Sequence, residues 1–190
     1  MLTLRRSIIG FLLLSAAISS GWSIFISKEP TPAITTSSAK KPDAFMENVV
    51  AIITNKEGKP SLKIETPKMV HYASDDTTEI TAPHVTVYRQ TPNPWYINSD
   101  FAKASQGIAQ IIFWDHVVIH HPDDKVNPDT TMLTPSLTIF PDKQIAKTNE
   151  AVTLTQPDTT IHAIGMLANL DNGTVKLMSQ ARTEYAPPSS

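Results

Sequence analysis

The hydrophobic and polar positions of residues 81–88 alternate along the chain, and much of the sequence follows the same pattern. Val85 and Val87 fall on one face of an extended segment, and the polar residues beside them fall on the other, because successive side chains of a strand point to opposite faces. β-branched residues suit such a half-buried, pleated surface. The segment therefore predicts a strand, with Pro83 just before it, where the missing N–H costs least.

A similar arrangement occurs twice more, at residues 65–72 and 133–140. Each segment has a Thr-Pro pair, an alternating run and an aromatic residue at its end. The pattern predicts a proline at the start of each strand. It indicates one sheet-forming unit that is used repeatedly, although a Thr-Pro pair followed by a strand is also common in unrelated β proteins.

Short apolar runs separated by turn residues continue to the end of the chain, and no long amphipathic helix follows Phe45. Residues 55–58 and 171–173 carry the Asn and Gly residues of tight hairpin turns. The pattern predicts an all-β domain over residues 44–190, with a dozen or more antiparallel strands in a sandwich or jelly roll. The alternation predicts these inward residues: Val85, Val87, Val117, Ile119, Leu137, Ile139, Val152, Leu154, Ile161, Val175 and Leu177.

The last predicted strand, residues 174–185, ends close to the end of the sequence. We expect it to be an edge strand, whose unpaired backbone groups offer a docking site for a strand of another protein.

The first 43 residues have a different character. Residues 8–26 contain no charged side chain and follow Arg5 and Arg6. As a helix they are about 28 Å long, close to the ~30 Å of a bilayer core. This predicts a cytoplasmic segment 1–7, a transmembrane helix 8–26 and an extended periplasmic linker 27–43. A signal peptide cleaved near residues 17–19 is the alternative, and both interpretations export the rest of the chain.

The composition limits the chemistry. The net charge is −2 and there is no cysteine, so thiol chemistry and disulfides are excluded, and there is no dense basic patch for nucleic acid. His116 and His120 stand ~13 Å apart in an extended strand, too far for one zinc ion. We therefore predict no metal, no cofactor and no catalytic residue, and a solvated outer face for the only cluster of ligand-type side chains: Asp115, His116, His120, His121, Asp123 and Asp124.

Several short motifs occur in an order typical of one family. They are the turn Asn55–Gly58, the segment from Trp95 to the Asp-Phe-Ala-Lys sequence ending at Lys103, and the terminal Arg-Thr-Glu-Tyr sequence ending at Tyr185. Together with the predicted anchor, they resemble the LptC family, the bitopic components of bacterial lipopolysaccharide export. Residues 114–117 stand where that family has an aromatic-Gly-x-Val turn. Asp115 replaces the glycine, so the shape of that turn is open.

The resemblance implies a twisted jelly roll whose two sheets part to expose an apolar interior for the acyl chains of lipopolysaccharide. It implies partners: the inner-membrane ABC transporter subunits LptB, LptF and LptG, and the periplasmic bridge protein LptA. It also implies a single-pass inner-membrane location with a periplasmic domain. By position it places Ile80, Val175 and Tyr185 at the lipid, and the inward residues named above are then predicted lipid contacts as well. The partner-docking residues on the terminal edge are then Val175, Leu177, Arg182 and Tyr185.

Two other functions are compatible with the sequence. One is a membrane-anchored structural adaptor whose core is filled by its own side chains and binds no lipid. The other is an exported hydrolase that uses the cluster of His and Asp residues. An open interior favours lipid binding over the adaptor.

Overall fold

In the part of the chain that the structure describes, the alternating segments form eleven antiparallel strands. The computed structural model describes residues 40–89, 92–124, 127–170 and 173–186. In these residues the elements are β1 Ala44–Thr54, β2 Pro60–Tyr72, β3 Thr77–Thr81, β4 His84–Val87, β5 Trp95–Asn98, β6 Phe101–Ser105, β7 Gln110–His121, β8 Thr130–Phe140, a turn of 3-10 helix at Pro141–Lys143, β9 Ile145–Gln156, β10 Thr159–Asn169 and β11 Val175–Tyr185.

The all-β antiparallel prediction is confirmed, whereas the number of strands was overestimated. Residues 110–121 form one long, bent strand, β7, which Asp115 does not interrupt. The described residues contain no helix long and apolar enough to cross a membrane. The predicted anchor 8–26 lies outside the described residues, as do the predicted cytoplasmic segment and the linker up to residue 39.

The strands form one sheet in the order β11-β10-β9-β8-β7-β5-β4-β2-β3-β6, with β1 paired to β2 and β6 paired back to β7. Two strands, β2 and β7, each change partner along their length. The first half of β2 pairs with β4 and its second half with β3. Conversely, β7 pairs with β6 first and with β5 afterwards. The sheet is thereby divided into two layers.

A line of backbone irregularities crosses the sheet where the layers meet, and we call it the corner. Residues with positive φ mark it: Asn48 in β1, Asp115 and His116 in β7, Gly165 in β10 and Gln180 in β11. Register shifts accompany it in β7, β10 and their partners. Such bulges bend a strand and increase its twist. Each long strand can therefore run from one layer into the other.

Layer A comprises β3, β6 and the parts of the long strands on their side of the corner. Layer B comprises β4, β5 and the parts of the long strands on the other side of the corner. The inward side chains of both layers meet in one cluster that includes Ile80 and Phe113 from layer A and Val85 and Val117 from layer B. The structure is thus a sandwich made from a single folded sheet.

Buried hydroxyl groups support the corner. The side-chain hydroxyl of Ser99 donates to the carbonyl of Phe101 and that of Thr134 to Ser136, and the hydroxyl of Thr66 is shared by the carbonyls of Lys68 and Thr81. All three donors are less than 9% exposed. Each hydroxyl satisfies a carbonyl two residues ahead, where the bend interrupts the ladder.

The position of the prolines corrects a sequence prediction. Pro83 precedes β4 as expected, but Pro67 and Pro135 lie inside β2 and β8. Each follows one of the corner threonines and stands opposite the irregularity of the neighbouring strand. A proline lacks the ladder N–H, so a bulge accommodates it within a strand. The repeated Thr-Pro pair therefore marks the corner rather than the start of a strand.

Candidate functional site

The predicted inward residues form one apolar interior between the layers. Nine of them are between 1% and 8% exposed and belong to the same buried cluster: Ile80, Val85, Val87, Val117, Ile119, Leu137, Ile139, Val152 and Leu154. Both layers contribute, because alternate residues of antiparallel strands face the same side. Such a lining attracts apolar groups without directional bonds.

Four other predicted lipid contacts lie further out. Ile161, Val175 and Leu177 are partly buried against the cluster. Tyr185, at the end of β11, is 67% exposed and does not line the interior. The structure therefore brings the terminal strand to the margin of the interior, with only its first inward residues in contact with it.

The interior is largely filled, and a small apolar cavity of about 40 Å³ remains at the side opposite the corner. Its lining comes from both layers and includes Trp95 and Leu137. We call the side of the interior opposite the corner the mouth. Six apolar lining residues were not singled out from the sequence: Ile97, Met132, Ala146, Met166, Ala168 and Leu170. Ile97 alternates with its neighbours in β5 and could have been found, whereas alanines carry little hydrophobic signal.

A polar recess of about 500 Å³ lies beside this cavity at the mouth. It is lined mainly by turn residues, namely Asn55, Glu57, Lys59, Pro60, Ser61, Tyr88, Arg89, Gln144 and Leu170. Arg89 and Leu170 line the apolar cavity as well. Turn residues follow no periodicity, so no pattern in the sequence groups them.

The sheet ends in two edge strands, β1 and β11. On β11, Arg182 and Tyr185 are exposed, with 78% of the Arg182 side chain accessible. The sequence predicted docking at this edge alone. β1 is an equally apolar edge, since Val50 and Ile52 are each more than half exposed. An unpaired apolar edge is a surface to which another strand can add.

The cluster of His and Asp residues is divided between two environments. His116 is exposed and bonds Asp100 at 2.7 Å, which raises the pKa of His116 above its usual value. His121 is fully buried, packs on the Trp95 ring at 4.7 Å and lies 3.4 Å from the buried carboxylate of Asp124. Among the described residues, no three His, Asp or Glu side chains are placed to share a metal ion.

The predicted solvated face is therefore wrong for His121 and Asp124. Val117, Ile119 and His121 alternate along β7 and are all buried. The period of two itself places His121 inside, and the polar character of the side chain obscured this in the sequence.

Close to the start of β1, charged groups attach the chain to the end of layer A. Asp43 accepts a 2.8 Å hydrogen bond from His71, whose other ring nitrogen faces Asp76 at 3.5 Å. These contacts raise the pKa of His71 and lower that of Asp43. Lys40 pairs with Asp75 at 2.8 Å. The end of the predicted linker thus lies against the domain.

Comparison with known proteins identifies a family. The family model described as "Lipopolysaccharide-assembly, LptC-related" matches residues 11–186. No curated protein sequence matches the chain. One similar solved structure is LptH from Pseudomonas aeruginosa, described as the LptA-homologous periplasmic component of the lipopolysaccharide transport device. It is 6% identical, with a TM-score of 0.45, and the match covers 76% of this chain and 94% of that one.

Proposed function

Because the chain belongs to the LptC-related family and is a non-enzymatic component of the lipopolysaccharide transport machinery, we propose that it binds the acyl chains of lipopolysaccharide between layers A and B. One observation carries the proposal. The inward side chains of both layers form a continuous apolar interior that leads to a cleft at the mouth. Each methylene transferred into such an interior gains about 0.8 kcal/mol, so a few acyl chains supply ample affinity.

The described conformation is a closed one. A cavity of about 40 Å³ is of the order of one water molecule and cannot hold an acyl chain. Binding therefore requires the layers to move apart at the mouth while the corner holds them together at the opposite side. The corner suits this movement because the strands are continuous across it and already bent there. In the open state, layers A and B form the twisted jelly roll that the family resemblance implies.

The predicted anchor and the edge strand β11 together imply a direction of transport. We propose that residues 8–26 hold the chain in the inner membrane as a single-pass protein, beside the transporter subunits LptB, LptF and LptG. The β-domain then lies in the periplasm and passes lipopolysaccharide to LptA, which adds a strand to β11. The exposed Arg182 and Tyr185 on this edge support a docking role.

Site-specific photo-cross-linking tests lipid binding. A small diazirine amino acid at Ile80 or Val85, both facing inward, is expected to form adducts with lipopolysaccharide in cells. The same amino acid at Thr86, on the outer face of β4, is the matched control and should form few. Equal labelling at inward and outward positions would contradict a specific interior site.

The structural adaptor is the second candidate, and the filled interior favours it. The adaptor predicts no lipid adducts at Ile80 or Val85, although co-purification with the partners remains intact. Lipid binding predicts adducts that increase when the transporter hydrolyses ATP, because the layers must open to accept the substrate.

Exposed positions test docking at β11 without disturbing the core. Tyr185→Ser and Arg182→Glu should weaken the complex with LptA, because both side chains lie on the surface of the edge. Ile52→Asp, on the opposite edge β1, should leave that complex intact. A loss of LptA binding with Ile52→Asp alone would assign the docking site to β1 instead.

A further inference from the structure

The mouth changes from apolar to polar within one continuous strip. The apolar cavity, the polar recess and a third space of about 80 Å³ beside them share two residues, Arg89 and Leu170. Val87 lines both the cavity and the third space, and Ser61 lines both the third space and the recess. A ligand with an apolar tail in the interior would therefore emerge past Arg89 into polar surroundings.

The charges of this strip favour an anion. Among the residues that the structure describes, Arg89 and Lys59 line the polar recess together with one carboxylate, that of Glu57. The Nε and Nη1 atoms of Arg89 are buried, so this guanidinium is less hydrated than a surface cation. A partly desolvated cation attracts an anion more strongly than one in bulk water, and its planar fork matches two oxygens of a phosphate group.

We infer that Arg89 binds a phosphate group of the lipid headgroup at the mouth, with Lys59 as a second cation in the same recess. This inference rests on the proposed function, because it takes the acyl chains to occupy the interior behind Arg89. It makes Arg89 a residue that distinguishes phosphorylated lipids from neutral ones. It also orients the ligand, with the tails inside and the charged head outside.

The experiment measures the affinity of the full-length protein, in detergent, for four probes: lipid A with two phosphates, lipid A with one, dephosphorylated lipid A, and inorganic phosphate. We expect Arg89→Gln to weaken binding of bisphosphorylated lipid A by about tenfold or more, the range of a charge-assisted hydrogen bond. Binding of the dephosphorylated lipid should change little. Arg89→Lys should recover part of the loss, and Lys59→Gln should cause a smaller one.

Lys56→Gln is the matched control, since Lys56 belongs to the same exposed turn as Lys59 but does not line the recess. An unchanged thermal unfolding midpoint would show that the variants are folded. If Arg89→Gln lost the same affinity for phosphorylated and dephosphorylated lipid, the inference would be refuted and the role of Arg89 would be structural. Inorganic phosphate that bound as tightly as bisphosphorylated lipid A, and lost this binding in Arg89→Gln, would also refute the inference. The recess would then be an anion site that does not depend on the lipid. If the wild-type protein bound none of the lipids, the proposed function itself would fail.

Discussion

Gly165 is the residue at which the corner is most sensitive to a side chain. It lies in β10 with φ +78°, a conformation that L residues rarely adopt. A Cβ atom added there would lie 3.1 Å from Cβ and 3.2 Å from Cγ of Met178, on the neighbouring strand β11. Because Met178 Cβ is fixed to the backbone, a rotation of its side chain cannot relieve the closer contact. Gly165→Ala therefore has to move β11 or distort the corner.

The cost has two parts. The left-handed conformation costs a residue with a Cβ about 1–2 kcal/mol, and forced overpacking adds about 1–2 kcal/mol. The total of about 2–4 kcal/mol corresponds to a fall of roughly 5–15 °C in the unfolding midpoint of a domain of this size. Gly58 provides the control, since its φ is +76° and nothing lies within 4 Å of an added Cβ. Gly58→Ala isolates the conformational part and should cost about 1–2 kcal/mol.

Chemical denaturation and hydrogen exchange of both variants measure these effects. We expect Gly165→Ala to be the less stable variant, with its fastest exchange in β11 and a weaker complex with the docking partner. Gly58→Ala should leave exchange in β11 unchanged. If Gly165→Ala destabilised the protein no more than Gly58→Ala, the close approach of β11 at the corner would be disproved.

Three further predictions concern the interior, the corner and the linker end. Leu137→Ala, at a fully buried position, should cost about 2–5 kcal/mol in denaturant unfolding, and a smaller loss would show that the layers collapse onto the gap. Thr134→Val removes the hydrogen bond to the Ser136 carbonyl and should cost about 1–3 kcal/mol of unfolding free energy. Unchanged stability would show that this hydroxyl does not stabilise the corner. Since the bond to Asp43 raises the pKa of His71 and lowers that of Asp43, their pairing stabilises the fold most between about pH 4 and 6.5. It is lost as the pH rises through the raised pKa of His71. The midpoint should therefore fall less between pH 6 and 8.5 in His71→Gln than in the wild type, and an equal fall would contradict the pairing.

The alternation of apolar residues predicted the interior because burial on one face of a strand is a local property of the sequence. Val117 and Ile119 could be assigned inward from their own neighbours, and both are buried. The same rule placed His121 inside, but a histidine was not expected in an apolar core. It packs there because the Trp95 ring and the Asp124 carboxylate cover it.

The mouth could not be predicted because it is made by residues that meet only after folding. Lys59, Arg89 and Leu170 come from three separate turns, and nothing in their local sequence indicates that they face one recess. Tertiary pairing decides their positions: β2 must bend so that β4 joins layer B before the β4–β5 turn can carry Arg89 to the mouth.

The corner connects the fold to the proposed movement. Two layers joined at all sides by hydrogen-bonded strands could not separate without breaking a ladder, which would cost several backbone bonds. Here the ladders run within each layer and are already interrupted along a line that includes Asn48, Asp115 and Gly165. Opening at the mouth therefore requires changes of backbone dihedral at a few bulged positions, while the pairing in each layer is kept. The main cost of opening is the exposure of apolar side chains, and acyl chains that enter the interior cover those same side chains. If the chain binds lipid as proposed, the closed, filled interior is its lipid-free state, whereas for a structural adaptor it is the permanent state.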